Sequence, residues 1–280
     1  MSAQSKEIKH IKMGYLSDGI NEMKLKESHI AFNMWAQELI NDQNIQLNIA
    51  YYDINANMLR DYKEKKIQSI GFNPWFYLQN EVLFDSLSHE YWAVRRSSKQ
   101  LESYVVLVRN DSNINTIKAL KNKKIATRSD SYLGKMFLDT EFLKVAHEES
   151  SSYIDSYIYT KKFSTALLKT FFGAVDACVV SEHTLDLLTE MNPNIQKKLK
   201  VLKKSEEIFM PMLALFHKDL NKNIIFKLEK NIANLKGTKK GRSIFGLMKI
   251  KSFEPISIKK ITPLKKYYNT YLSLRSEYVK

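Results

Sequence analysis

The residues best equipped for chemistry in this 280-residue chain lie in one short loop, Arg128–Gly134 (RSDSYLG). It follows the apolar segment Ile125-Ala126-Thr127 and opens a helix-patterned run that reaches about Val145. The first turn of a helix presents backbone N–H groups with no intrahelical partner, and the helix dipole favours negative charge there. Ser129 and Ser131 add hydroxyls and Arg128 adds a guanidinium, so the loop holds the donors an oxyanion needs. Asp130 or Ser131 is the expected N-cap. Without further context, an ordinary strand-to-helix turn with Ser and Asp caps is the simpler reading.

No other constellation points to catalysis. The sequence contains no GxSxG, HExxH, Walker or GxGxxG pattern. His10, His29, His89, His147, His183 and His217 are scattered without ligand-like spacing and read as surface or cap residues. Cys178 is the one cysteine, set in the apolar run between Ala177 and Val179. No neighbour in sequence would lower its pKa, so it reads as a buried, inert thiol. A single cysteine also excludes an internal disulfide and any Cys-rich zinc site. The expectation is a protein that is not an enzyme and needs no cofactor or metal. An enzyme using Cys178 is the weakest alternative.

Charge widens the choice of partners before narrowing it. Lys and Arg number 44 against 30 Asp and Glu, a net +14 that suits nucleic acid, an acidic membrane or an anionic ligand. The lysines are dispersed, however. Lys118–Lys124, Lys197–Lys204, Lys239–Arg242 and Lys259–Lys266 are modest clusters, and no nucleic-acid module accompanies them. The charge therefore reads as a solvated basic surface and no nucleic-acid partner is expected, a basic nucleic-acid-binding protein being the less favoured alternative. No stretch approaches the ~18 consecutive apolar residues of a spanning helix. The amino end, MSAQSKEIKHIKMGYL, lacks the apolar core of a signal peptide, which leaves a cytosolic start and a removed export signal both open.

The elements that must position the loop follow from hydrophobic period. Strands are expected at Ile8–Leu16, ending in Ser17-Asp18-Gly19, and at Ile45–Ile49 and Ile67–Phe72. Residues 28–42 form a helix pattern with Ile30, Ala31, Met34, Trp35 and Leu39 on one face, and Asn55–Lys66 forms a charged surface helix. Asn73-Pro74-Trp75 breaks the chain direction. Further strands are expected at Tyr104–Arg109, Val175–Val180, Val201–Leu202 and Phe209–Phe216, with helices at Lys161–Phe172, Thr184–Met191 and from Ile224 to Gly237. The last thirty residues look mostly surface-facing. Strands separated by helices imply parallel α/β architecture. The pattern divides into a first lobe of residues 1–105 plus 214–280 and a second of 106–213, with strands 104–109 and 209–216 as the crossings. Clefts between lobes are favoured ligand sites.

The segment Tyr104–Gly134 (YVVLVRNDSNINTIKALKNKKIATRSDSYLG) resembles the periplasmic phosphate/phosphite/phosphonate-binding proteins of ABC transporters, within the type 2 solute-binding fold. The shared features are an apolar hinge strand, a charged Asp-Ser, an "xLKxKKIA" element and then a Ser- and Gly-bearing loop. Val175-Asp176-Ala177 is similar to the family's Val-Asp-Ala strand start. Asn192-Pro193, Leu199–Ser205, Met210-Pro211-Met212 and Phe253-Glu254-Pro255 resemble its later Asn-Pro, Val-Leu, Ser-Pro and Gly-Phe-x-Pro stretches. The resemblance covers roughly residues 104–255.

It implies a two-lobe clamshell with hinge strands, non-catalytic binding of a small anionic or polar solute between the lobes, and delivery to an ABC permease. The periplasm is the location it implies. The same fold also serves as the input domain of a signalling kinase module, which is the alternative reading. By the resemblance, Ser131 and Gly134 keep the family's loop residues, while Tyr132 and Leu133 replace Thr and Ser. Phe163-Ser164 stands where the family often has His followed by Asp or Glu, so Ser164 cannot pair with a ligand amine; Asp176 remains. Glu102 and Tyr104 stand on the hinge strand near the family's Tyr and Ser. These departures point to a changed ligand on a retained fold. The candidate ligand-binding set is Arg128, Ser129, Asp130, Ser131, Tyr132, Gly134, Glu102, Tyr104, Ser164 and Asp176. Tyr15, Tyr51, Asn73 and Trp75 join it from strand ends in the first lobe.

Overall fold

Apolar runs of strand length, separated by helices with one buried stripe, build two separate sheets in the computed structural model, which describes residues 9–16, 25–39, 45–96, 101–209 and 212–279. The strands are β1 (Lys9–Leu16), β2 (Ile45–Tyr52), β3 (Ser69–Phe72), β4 (Ser88–Arg95), β5 (Tyr104–Arg109), β6 (Lys124–Arg128), β7 (Ser156–Thr160), β8 (Ala177–Ser181), β9 (Leu199–Lys204), β10 (Leu213–His217) and β11 (Ser252–Ile256). The helices are α1 (Leu25–Leu39), α2 (Asn55–Lys63), α3 (Pro74–Gln79), α4 (Glu81–Leu87), α5 (Tyr132–Ala146), α6 (Ser150–Tyr153), α7 (Phe163–Phe171), α8 (Glu182–Met191), α9 (Asn194–Lys198), α10 (Lys222–Gly237), α11 (Lys239–Leu247) and α12 (Thr262–Tyr278). The expected turn Ser17-Asp18-Gly19 and the residues Ile8 and Met210-Pro211 lie outside the described residues.

The chain divides into two compact units. The first is Met1–Gln100 with Met210–Ile258, and the second is Leu101–Phe209 with Lys259–Lys280. The first holds a six-stranded sheet in the order β11-β4-β10-β3-β1-β2, and the second a five-stranded sheet in the order β7-β6-β8-β5-β9. Both sheets are mixed, against the expectation of purely parallel ones. β1, β2 and β3 run parallel, as do β6, β7 and β8, but β10 opposes β3 and β4, and β5 opposes β8 and β9. The two opposing strands are the first described strands after the chain changes unit. Each enters its sheet level with the carboxyl ends of the parallel strands and so runs against them.

That arrangement moves the first expected crossing: β5 lies wholly in the second unit, and the change of unit falls before it, at 100/101. The second change, at 209/210, falls within the expected run 209–216, ahead of β10, which lies wholly in the first unit. Just inside the second unit the two passages pair with each other: Glu102 N–H donates to the Phe209 carbonyl at 2.7 Å, and Phe209 N–H donates to the Glu102 carbonyl at 3.1 Å. A third passage at 258/259 carries α12 into the second unit, whereas all of 214–280 was expected in the first lobe. The reason is burial. Leu264 is fully buried and Tyr271 nearly so, while most described residues after 250 face solvent, as expected. Tyr267 packs its ring 5.8 Å from that of Phe209, and Arg275 Nε lies 2.7 Å from Glu149 Oε1.

Each unit has its own core. In the first, Trp92 is fully buried, with Phe216 and Phe253 each 5.2 Å away. α1 buries Ala31, Phe32, Trp35 and Ala36 and leaves Ile30 and Met34 exposed, so its inner stripe is rotated from the one expected. Phe32 and Trp35 carry the larger apolar area and take the inward positions. Asn73 does more than break the chain: its side-chain oxygen accepts from Phe76 N–H at 3.2 Å and caps α3, with Pro74 in the first turn. In the second unit Val105, Leu107, Cys178 and Val180 of the sheet meet Phe163, Ala166 and Leu167 of α7. Burial pushes the Cys178 thiol up to about 12, which removes it as a nucleophile at neutral pH. No described helix is long and apolar enough to cross a membrane.

Replacing Leu264 with Ala should destabilise the second unit by about 2–5 kcal/mol, the usual range for emptying a buried leucine site. Amide hydrogen exchange should then quicken in α5 and α12 and stay unchanged in the six-stranded sheet. Equal quickening in both units would show that α12 is not anchored where its burial indicates.

Candidate functional site

Strand direction gathers the candidate residues of the second unit at one sheet edge. β6, β7 and β8 are parallel, so their carboxyl ends lie together, with Arg128 paired to Thr160. β5 runs the other way, and its first residue, Tyr104, pairs with Ser181 at the end of β8. Helices α5, α7 and α8 all start at this edge, with Ser131, Lys162 and Ser181 at their cap positions. Three sets of first-turn N–H groups therefore point outward from one edge, a standing attraction for negative charge.

The loop is held from below. Ser129 N–H donates to the Thr160 carbonyl at 3.1 Å and Ser131 N–H to the Arg128 carbonyl at 3.0 Å. Lys135 N–H makes the first helical bond of α5, to the Ser131 carbonyl at 2.9 Å. The N–H groups of Tyr132, Leu133 and Gly134 precede that bond and have no carbonyl four residues back within the helix. At α8 the corresponding need is met by Ser181, whose Oγ accepts from Thr184 N–H at 3.3 Å. Ser131 behaves differently. It occupies the cap position but makes no cap bond, and its Oγ is buried without a hydrogen-bond partner.

Around that hydroxyl the packing is tight. Arg128 is the last residue of β6 rather than part of the loop. It is buried and paired with the Asp130 carboxylate, and its guanidinium lies 4.3 Å from the centre of the Phe163 ring. Tyr104 sets its ring edgewise 6.0 Å from Phe163 and 4.9 Å from Phe209. A Cβ on Gly134 would fall 2.5 Å from Ser131 Oγ and 3.0 Å from Tyr104 Cε1. The absent side chain is what lets the hydroxyl and the ring reach the first turn of α5 together. Because Asp130 balances Arg128, the loop has no net side-chain charge. What the loop can offer an anion is therefore mainly dipoles and hydroxyls.

Tyr104, Arg128, Asp130, Ser131 and Gly134 thus converge. Ser129 and Tyr132 are exposed beside them, and Ser164 follows Phe163 in the first turn of α7. Asp176 does not converge. Its carboxylate accepts from Lys124 N–H at 2.9 Å, at the start of β6. The length of that strand, about 13 Å for four steps of extended chain, separates it from Arg128. Asp176 fastens the opposite edge of the sheet, away from the loop.

In the first unit, Tyr15 and Tyr51 do lie near the ends of β1 and β2. Tyr15 is a buried residue, 1% exposed, with its ring 4.6 Å from that of Phe32. Tyr51 stacks 3.6 Å from His29 and donates its hydroxyl to the His29 carbonyl at 3.1 Å; partial burial raises its pKa. Asn73 is engaged as the α3 cap, and Trp75 follows it, partly exposed. Phe163 and Phe209 were not anticipated as part of the site. Both read as core, and their only sequence signal is position, Phe163 opening a helix and Phe209 opening the expected strand Phe209–Phe216. Among the described residues no three His, Cys, Asp or Glu side chains cluster as a metal would require.

A family model described as ABC transporter, phosphonate, periplasmic substrate-binding protein matches residues 26–260. The chain belongs to that family. It is a non-catalytic solute-binding protein with the two-lobe fold. Solved structures agree on the fold. A Xanthomonas citri protein solved bound to ATP is 12% identical and superposes over 97% of this chain and 99% of its own with a TM-score of 0.67. The PhnD1 protein of Prochlorococcus marinus, in complex with methylphosphonate, is 16% identical over 93% of this chain and 97% of its own, TM-score 0.66. The periplasmic aliphatic sulphonate binding protein SsuA of Escherichia coli is 14% identical over 96% of this chain and 87% of its own, TM-score 0.54. No curated protein sequence matches.

Gly134→Ala tests the convergence by its sign. An alanine replacing glycine in a helix ordinarily stabilises by roughly 0.5–1 kcal/mol. Here the overpacking against Ser131 and Tyr104 should destabilise instead, by about 1–3 kcal/mol. A rise in melting temperature would show that the hydroxyl and ring do not crowd this turn.

Proposed function

We propose that this member of the family binds a small tetrahedral oxyanion of the phosphonate or phosphate kind at the β6–α5 edge of the second unit and passes it to an ABC permease in the periplasm. The observation that carries the reading is the Ser131 hydroxyl, buried and without a hydrogen-bond partner at the first turn of α5. A buried polar group left unsatisfied costs about 1–3 kcal/mol. An oxyanion oxygen resting on the first turn of α5 would satisfy the hydroxyl and meet the positive end of the helix dipole. Arg128, fixed by Asp130 and Phe163, would orient the loop and add positive potential, and Ser129 and Tyr132 would lie at the exposed rim. Family membership favours a permease as partner over a signalling kinase, and supports the periplasm as the place of work.

Thermal denaturation with phosphate, phosphite, methylphosphonate and sulfate tests the proposal. A ligand at 100 times its dissociation constant should stabilise the protein by about 2.7 kcal/mol. Ser131→Ala should weaken binding of the active ligand about tenfold, one lost hydrogen bond to a charged group, without lowering the melting temperature of the free protein. If no oxyanion stabilises the protein, or if Ser131→Ala binds as tightly as the parent, the site is not this loop.

A further inference from the structure

We infer that Glu102 makes the site choose oxyanions that retain a proton, an inference that rests on the oxyanion reading of the β6–α5 edge. Three observations carry it. First, backbone bonding shows that residues 102–104 are extended: Glu102 pairs with Phe209, the Ser103 carbonyl accepts from Glu182 N–H on the other side, and Tyr104 returns to bond Ser205. In extended chain alternate side chains share a face, so Glu102 lies on the same face as Tyr104, one strand repeat away. Second, the Tyr104 ring is the group that closes on Gly134 beside the Ser131 hydroxyl. Third, Glu102 Oε1 is buried and has no hydrogen-bond partner.

An ionised carboxylate only accepts hydrogen bonds. A buried carboxylate oxygen beside an anion site repels a bare oxyanion and welcomes one that brings a proton. Phosphonates and phosphate keep a P–OH over part of the neutral range, and their remaining oxygens can still take up the Ser131 hydroxyl and the α5 N–H groups. Sulfonates are fully ionised and have no proton to offer. The shared fold does not make this choice, since it superposes on both a methylphosphonate complex and a sulfonate-binding protein. The local carboxylate does.

Isothermal titration of the full chain with methylphosphonate, methanesulfonate and taurine reads the choice directly. Methylphosphonate should bind about a hundred-fold or more tighter than methanesulfonate, as sites that demand a hydrogen bond reject analogues lacking it. Glu102→Gln should close most of that gap, weakening methylphosphonate and strengthening methanesulfonate, because the amide can donate. Should the variant fail to fold, the ratio on the parent protein still decides. Equal binding of methylphosphonate and methanesulfonate by the parent overturns the role of Glu102 while leaving the oxyanion reading intact. Taurine binding as tightly as methylphosphonate would make the donor an ammonium and overturn it as well. If none of the three binds and phosphate, phosphite and sulfate also fail to stabilise the protein, the oxyanion reading falls and this inference falls with it.

Discussion

The close approach of the Tyr104 ring and the Ser131 hydroxyl to the first turn of α5, at a position where only glycine fits, is the constraint on which the rest of the site depends. It ties together a strand that runs against its neighbours, a loop that leaves β6 and a helix that starts at the sheet edge. Were β5 parallel to β8, its first residue would lie at the far edge and no aromatic ring would meet α5. The antiparallel entry of β5, the bridge between Glu102 and Phe209 and the packing of Phe209 on Tyr104 are consequences of one chain path.

The electrostatics follow the same economy. The chain carries +14, yet the arginine of the loop is paired with an aspartate two residues away, and the lysines are spread over the surface. Overall charge can raise the local concentration of anions. It gives no geometry. Geometry comes from fixed dipoles and hydroxyls at the helix starts, which need no charge to be desolvated and can therefore hold an anion closely without fixing a counterion in advance.

Much of the local structure was legible in the sequence. The apolar run Tyr104–Arg109, the strand and helix on either side of Arg128–Gly134, and the glycine stop of α10 are local patterns that depend on near neighbours. Cys178 was legible as an inert thiol because the whole run around it is apolar. Other features were not legible. Ile30 and Met34 share a helical period with Ala31 and Trp35, and the period by itself leaves the stripe free to rotate until Phe32 and Trp35 find the sheet. The unit that the carboxyl-terminal helix joins was not legible, because its partner, α5, lies over a hundred residues earlier.

Sequence by itself determined the alternation of strands and helices, the oxyanion-capable loop, the absence of catalytic motifs and the resemblance that led to the family. Tertiary structure alone decided which candidates meet. Asp176 and Arg128 are both close to β6 by pairing and opposite by edge, because a strand has two ends and a sequence does not say which one a neighbour joins. Tyr15 lies one residue from the end of β1, and only the fold brings the Phe32 ring against it. Ser131 reads as a helix cap in the sequence, yet its hydroxyl is buried with no hydrogen-bond partner, since whether a buried oxygen has a partner is a property of three-dimensional neighbours and not of residue type.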